Sequence, residues 1–118
     1  MKKILLYLLV CAPGIFLAQE KAYLGVYSNT VGKEKARLLN FESPYGAYIT
    51  KIISNSAAEK SELEVFDYLY AINDENFSKD RSFSHVMRDY QPGDQVKLSF
   101  VRNGQTMSRQ VTLGSRAN

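Results

Sequence analysis

The sequence is poor in the residue types that build metal sites, disulfide frameworks and cofactor sites. Its 118 residues include one cysteine, one histidine and no tryptophan. A single thiol excludes an internal disulfide and any zinc site that needs several cysteines. The seven glycines are scattered singly, which excludes a glycine-rich phosphate loop, and the aspartates lack the alternating spacing of a calcium loop. We therefore expect neither a metal nor a small-molecule cofactor.

The length and the composition fit one globular domain. With 45% hydrophobic and 23% charged residues, the chain has an ordinary globular composition. A chain of 118 residues is too short for two independent cores. The formal net charge of +3 would fit a nucleic-acid partner, so the positions of the charges decide what this value means.

The first 18 residues have the pattern of a secretory signal peptide. Lys2 and Lys3 precede an unbroken apolar run, and a Pro-Gly pair follows before Ala18. The apolar part is 15 residues long, shorter than the roughly 20 that a membrane-spanning helix needs. We predict cleavage after Ala18 and export to the periplasm or beyond, with membrane contact only if the leader is retained. The predicted parts are a leader at 1–18, a domain at 19–114 and a polar tail at 115–118.

Removal of this leader changes the chemical character of the chain. The leader contains Lys2, Lys3 and Cys11, so the remainder has 15 − 2 = 13 basic and 12 acidic residues and no thiol. A net charge of +1 lacks the electrostatic attraction on which nucleic-acid binding depends. We therefore predict no nucleic-acid partner, although the chain has eight tyrosines.

Short β-rich and helical segments alternate after the leader. Aromatic, β-branched and apolar runs predict strands at 23–29, 46–53 and 68–72, and Asn103-Gly104 predicts a hairpin between two further strands. Helices are expected at 33–40, at 57–60 and from Ser82 to about residue 90. In the last helix one stripe faces the core, formed by Phe83, Val86 and Tyr90. The pattern predicts one α+β domain of five to six short strands and two to three helices.

Catalytic chemistry has little support in the sequence. His85 stands beside Ser84 and Arg88, on the predicted polar side of the last helix, and no Gly-x-Ser-x-Gly motif is present. The aspartates fall at predicted turns and helix ends, where carboxylates bind backbone amides. We predict that the protein is not an enzyme; an accessory hydrolase that uses His85 is the alternative.

One segment has the chemistry of a peptide site. Residues 23–26 form a glycine-containing turn that leads directly into a strand. Successive N–H groups in such a turn can converge on an anion, and a residue without Cβ allows a ligand to approach. If the strand lies at a sheet edge beside the last helix, an extended peptide can add to it, with its terminal carboxylate in the turn. The alternative is a segment that merely begins a sheet.

The order of several motifs resembles a known family. YLGV at 23–26, GAYITKI at 46–52, SNSAAEK at 54–60, DYLYAIN at 67–73, QPGDQV at 91–96 and RNG at 102–104 follow one another along the chain. This order is similar to the PDZ domain of the bacterial, circularly permuted type found in high-temperature-requirement (HtrA/Deg-like) proteases. The resemblance implies a partly open β-barrel capped by helices, which binds the C-terminus or an extended segment of a protein.

The resemblance also implies which residues bind the peptide. They belong to a carboxylate-binding loop with its following strand and to a facing helix: Tyr23, Leu24, Gly25, Val26, Tyr27, Asn29, Ser84 and Met87. Asp80 would lie near the entrance of the groove. The implied function is that of a stand-alone, non-catalytic module. The alternative is a structural, assembly or regulatory module whose groove is filled by its own chain or by a fixed partner.

Two positions depart from the family pattern. Family members usually have glycine where Glu62 and Phe66 stand, at a helix end and in a tight turn. A non-glycine residue in the left-handed conformation costs roughly 1–2 kcal/mol. Either these turns differ locally or the domain tolerates the strain.

Overall fold

The computed structural model describes residues 21–115, so the predicted leader and its cleavage site lie outside the described residues. Within this range there are eight strands and three helices. In chain order they are β1 Ala22–Tyr23, β2 Val26–Asn29, α1 Lys33–Leu38, β3 Ala47–Ile52, α2 Ala57–Lys60, β4 Tyr68–Ile72, β5 Glu75–Asn76, α3 Phe83–Met87, β6 Gln95–Arg102, β7 Gln105–Thr112 and β8 Gly114–Ser115.

The strands form one large antiparallel sheet and one small one. The large sheet has the order β2-β3-β4-β6-β7, with β5 paired to β4. The small sheet pairs β1 with β8 and thereby joins the two ends of the described chain. In this strand order β2 lies at an edge of the large sheet. The predicted α+β class is confirmed.

The main core lies between the curved sheet and the helices. Val96, Leu98 and Phe100 of β6 are buried, as their alternation predicts. Val86 of α3 is also completely buried, and Phe83 and Tyr90 pack against the same core. Full burial of such a side chain contributes about 1.5–3 kcal/mol, so this stripe fixes which face of α3 points inward.

A second, smaller core holds α1 against the outer face of the sheet. Ala36 packs with Val31 and Tyr68, and the ring of Phe41 stacks on Tyr68 with centroids 3.8 Å apart. The Tyr68 hydroxyl accepts a hydrogen bond from the N–H of Gly46 at 2.8 Å and donates one to the Ser43 carbonyl. Burial raises the pKa of this hydroxyl above its ordinary value. Tyr68 therefore ties the turn before β3 to the start of β4.

Several element boundaries differ from the sequence prediction. The predicted strand at 23–29 is interrupted at Leu24 and Gly25, where the chain leaves β1 and enters β2. The predicted last helix ends at Met87 rather than near residue 90. Its end is tightened by short-range bonds from the N–H groups of Arg88 and Asp89 to carbonyls three residues earlier. Strand β8 includes Ser115, one residue beyond the predicted domain boundary.

The predicted hairpin is confirmed. Strands β6 and β7 pair along their whole length, from Gln95 with Thr112 to Arg102 with Gln105. At the turn, Asn103 has φ 51° and Gly104 has φ 79°, the pair of positive values that a type I′ turn requires.

Candidate functional site

A groove runs between β2 and α3. It has a volume of about 190 Å³ and is lined by six of the eight predicted site residues. The lining comprises Tyr23, Leu24, Gly25 and Val26 from the loop, Ser84 and Met87 from α3, and also Ala22 and Phe83. Phe83 was predicted as a core residue. It packs on the core and also lines the groove.

The loop at 23–26 is fixed from behind. The carbonyl of Leu24 accepts a hydrogen bond from the N–H of Ala58 at 2.8 Å, and that of Gly25 accepts one from Ile53 at 2.9 Å. Both carbonyls are therefore held by the segment around α2. Among residues 21–115, the hydrogen bonds outside the strand ladders do not include the N–H groups of Leu24 or Gly25 as donors. These two amides are the candidates for the anion-binding donors that the sequence predicts in this loop.

Glycine is needed at position 25 for a reason that differs from the sequence-based one. Gly25 has φ +92°, and a Cβ placed on it would lie 2.1 Å from the Cβ of Ser56. The obstacle is thus the segment that caps α2, not a ligand in the groove. The glycine is therefore a packing requirement of the loop, and its role in ligand approach stays a prediction.

The other two predicted strand residues lie beside the groove and not in its lining. Tyr27 is 58% exposed on β2, and Asn29 is exposed at the end of the same strand. The register against β3 shifts between Tyr27 and Ser28, and the Thr50 hydroxyl donates to the Tyr27 carbonyl at 3.2 Å. The Lys51 ammonium lies 5.4 Å from the centre of the Tyr27 ring. Tyr27 thus belongs to the outer surface of the β2–β3 pair.

The groove helix is held at both ends by polar groups that precede and follow it. Ser82 caps its first turn by accepting from the N–H of His85. Arg81 donates two hydrogen bonds to Glu75 of β5, at 2.8 and 3.2 Å, and one to Asp89 at 2.7 Å. The bonds to Arg81 lower the pKa of Glu75, and the two carboxylates raise that of Arg81. Sequence reasoning missed this network because three separate segments meet in it.

His85 is placed as the sequence predicts. It is exposed, and its Nδ1 lies 2.8 Å from the hydroxyl of Ser82, one helical turn earlier. That hydroxyl already serves as the helix cap, so the contact is a local one. Asp80 is exposed and lies outside the groove lining.

Within residues 21–115 no group of three or more His, Cys, Asp or Glu is arranged for a metal. In the same part of the chain no helix is long and apolar enough to cross a membrane.

The fold and the groove define a class of protein, and the family comparison agrees. Residues 19–113 match the profile of the PDZ domain, so the chain belongs to the PDZ domain family. Among curated relatives, a probable periplasmic serine endoprotease DegP-like of Pseudomonas putida (strain W619) is 27% identical over 95 residues, which cover 80% of this chain and 20% of that protein. The corresponding protein of Chlamydia trachomatis serovar D is 30% identical over 93 residues, covering 79% and 19%.

Solved structures show the same fold. The HtrA-type protease AlgW with a decapeptide superposes with a TM-score of 0.70 and 21% identity, over 84% of this chain and 30% of that one. An aminopeptidase N family protein from Idiomarina loihiensis gives a TM-score of 0.66 at 19% identity, over 83% and 14%. The chain spans about a fifth of the length of the curated relatives it matches. That shared fifth is the PDZ region and not the catalytic domain of the proteases.

Proposed function

We propose that this protein is an exported, non-catalytic PDZ module that binds the C-terminus or an extended segment of a partner protein. The observation that carries the proposal is the groove between β2 and α3, lined by the loop at 23–26 and by Ser84 and Met87. The leader pattern supports export, as do relatives that are named periplasmic proteases. The AlgW structures that resemble this chain carry peptides, which supports a peptide as the ligand.

The proposed binding mode follows from the local geometry. An extended peptide adds as a strand to β2, whose backbone at Tyr27 and Asn29 lies at the sheet edge. The terminal carboxylate accepts hydrogen bonds from the N–H groups of Leu24 and Gly25, because their carbonyls are held on the opposite side. The last side chain of the peptide enters the space between Val26 and Met87. Peptide binding of this kind requires no catalytic residue.

A peptide titration tests the proposal. A heptapeptide that ends in Thr-Val-Leu with a free carboxylate is expected to shift the amide signals of residues 23–29 and 82–87, and the same peptide as an amide should bind more weakly. Ser84→Glu is expected to weaken binding about tenfold, since it places a negative charge beside the carboxylate.

His85→Glu is the matched control for this titration. It adds a carboxylate to the same helix, but position 85 is exposed and outside the groove lining. A Glu three residues after Ser82 also completes a capping box, so the helix is retained. Equal effects of the two variants, or signal changes confined to other segments, would contradict the proposed groove. Failure of every peptide to bind would favour a groove filled by the protein's own chain or by a fixed partner.

A further inference from the structure

The groove at the loop has a neighbouring pocket. A second pocket of about 420 Å³ lies at the C-terminal end of α3 and shares Ala22, Ser84 and Met87 with the first. Lys21 and Arg88 also line this second pocket. The two pockets are therefore neighbours along α3.

Among residues 21–115, the charged side chains that line the second pocket are both cations, Lys21 and Arg88. Lys21 and Arg88 are exposed, and none of the ion pairs among residues 21–115 includes either of them. The two carboxylates that follow Arg88 along the chain have other partners. Asp89 pairs with Arg81 at 2.7 Å, and the Asp94 side chain accepts from the N–H of Gln91 at 2.8 Å. The lining contains no acidic residue.

We propose that this pocket binds an acidic side chain of the ligand, one or two residues after the apolar residue that occupies the first groove. The proposal rests on the proposed function and specifies its ligand class: internal segments with the pattern apolar-acidic, which continue past the loop. An extended peptide advances about 3.3 Å per residue, so the residue after the apolar one reaches the space beside Ala22 and Met87. There Lys21 and Arg88 supply the complementary charge.

A ligand whose only negative charge is its terminal carboxylate would leave Lys21 and Arg88 without a charged partner in the complex. In the proposed binding mode the amides of Leu24 and Gly25 hold one carboxylate at the loop. The two cations around a separate pocket match a second negative group. The positive charge and the adjacency of the two pockets thus favour the same occupant.

Three fluorescent peptides with one common core provide the test. The first ends in Thr-Val-Leu as a free acid, the second in Thr-Val-Leu-Asp-Ala as an amide, and the third in Thr-Val-Leu-Asn-Ala as an amide. We expect the Asp peptide to bind about five- to tenfold more tightly than the Asn peptide, a difference that falls with added salt. Lys21→Gln and Arg88→Gln should each reduce this preference about threefold, and the double variant should abolish it.

Lys33→Gln is the control for the loss of one positive charge, because Lys33 is exposed on α1 and outside both pockets. Equal affinity for the Asp and Asn peptides would overturn the proposal, and so would a preference that the variants leave unchanged. If the free-acid peptide still binds in that case, the proposed peptide-binding function stands and only the acidic subsite fails. If none of the three peptides binds, the proposed function itself fails.

Discussion

Among residues 21–115, seven non-glycine residues have a positive φ, and two of them stand where the family usually has glycine. Glu62 has φ 63° and Phe66 has φ 78°, so both turns keep their shape without glycine and the strain is tolerated. Phe66 is 64% exposed, and its ring stacks on Tyr48 at 5.8 Å. This aromatic contact partly offsets the strain of the left-handed backbone at Phe66. The Glu62 side chain is 85% exposed and makes a long contact of 3.6 Å to Arg109.

We expect Glu62→Gly to raise the free energy of unfolding by about 0.5–1 kcal/mol. The substitution removes a left-handed strain of about 1–2 kcal/mol, and the greater freedom of glycine in the unfolded chain cancels part of that gain. Urea denaturation measures the effect. The control is Glu64→Gly, another exposed site two residues away without a positive φ, which should lose stability through the added chain freedom and the lost 3.4 Å pair with Arg102. A loss of stability at position 62 as well would contradict the strain argument.

The two glycines Gly25 and Gly93 allow a conformational effect to be separated from a packing effect. Their φ values are +92° and +93°, but a Cβ on Gly93 would meet nothing within 4 Å, whereas one on Gly25 would meet Ser56. We expect Gly93→Ala to cost about 1–2 kcal/mol and Gly25→Ala about 2–4 kcal/mol, because the second adds overpacking. Denaturation of both variants gives the comparison. Equal losses of stability in the two variants would show that Ser56 moves aside without a free-energy cost.

At the scale of elements, the position of α3 depends on Arg81. This side chain joins β5, through Glu75, to the segment after the helix, through Asp89. Strand β5 in turn pairs with β4 in the large sheet. Arg81 therefore fixes the helix relative to the sheet and so contributes to the width of the groove.

The ion pair of Arg81 with Glu75 predicts a specific acid dependence. The folded-state pKa of Glu75 lies below its ordinary value of 4.5, so its stabilising effect is present above that value and is lost as the pH falls through the lowered pKa. Arg81→Gln should therefore be less stable than the parent at pH 7, and the difference should be smaller at an acid pH below the lowered pKa of Glu75. Urea midpoints at both pH values measure it. Arg37→Gln removes an exposed arginine of α1, and its difference in stability from the parent should not shrink at acid pH.

The local elements of this fold follow from the sequence, whereas its long-range polar ties do not. Alternation predicted β6, and Asn103-Gly104 predicted its hairpin, because both signals lie within a few residues. Asp67 was predicted to serve a turn, and it does accept from the N–H of Glu64 at 2.8 Å. It is also 1% exposed and binds Arg102 with two hydrogen bonds across 35 residues. No local pattern encodes that pairing, because it depends on the strand order.

Arg109 is a second residue whose long-range contacts the sequence does not predict. It interrupts the apolar stripe of β7, and the sequence offers no reason for it. In the structure its guanidinium donates to the Ser61 carbonyl at 2.7 Å and to the Glu62 carbonyl at 3.5 Å, at the end of α2. A cation there satisfies helix carbonyls that lack partners within the helix. The six groove residues could be assigned from the motif order, whereas Lys21 and Arg88 meet only when the chain is folded.

At the scale of the whole molecule, the two ends of the domain support the groove together. Ala22 pairs with Ser115, and Tyr23 pairs with Gly114. Strand β1 leads directly into the loop at 23–26, so the C-terminal segment holds the base of the proposed carboxylate site. Leu113 is anchored separately, because it exchanges hydrogen bonds with Asp94 and Gly93. The domain can therefore lose β8 without losing the end of β7.

Deletion of residues 114–118 is accordingly expected to weaken peptide binding more than it weakens the core. The loop loses the partner of β1, whereas the anchored Leu113 keeps the β6–β7 hairpin in place. The measurement combines peptide affinity with hydrogen exchange, in which amides of β6 and β7 should stay protected while those of 22–26 exchange faster. Deletion of residues 116–118 leaves β8 present and is the matched control, with affinity expected at the full-length value. Unchanged affinity after the longer deletion would show that the loop is held by its contacts with α2 alone.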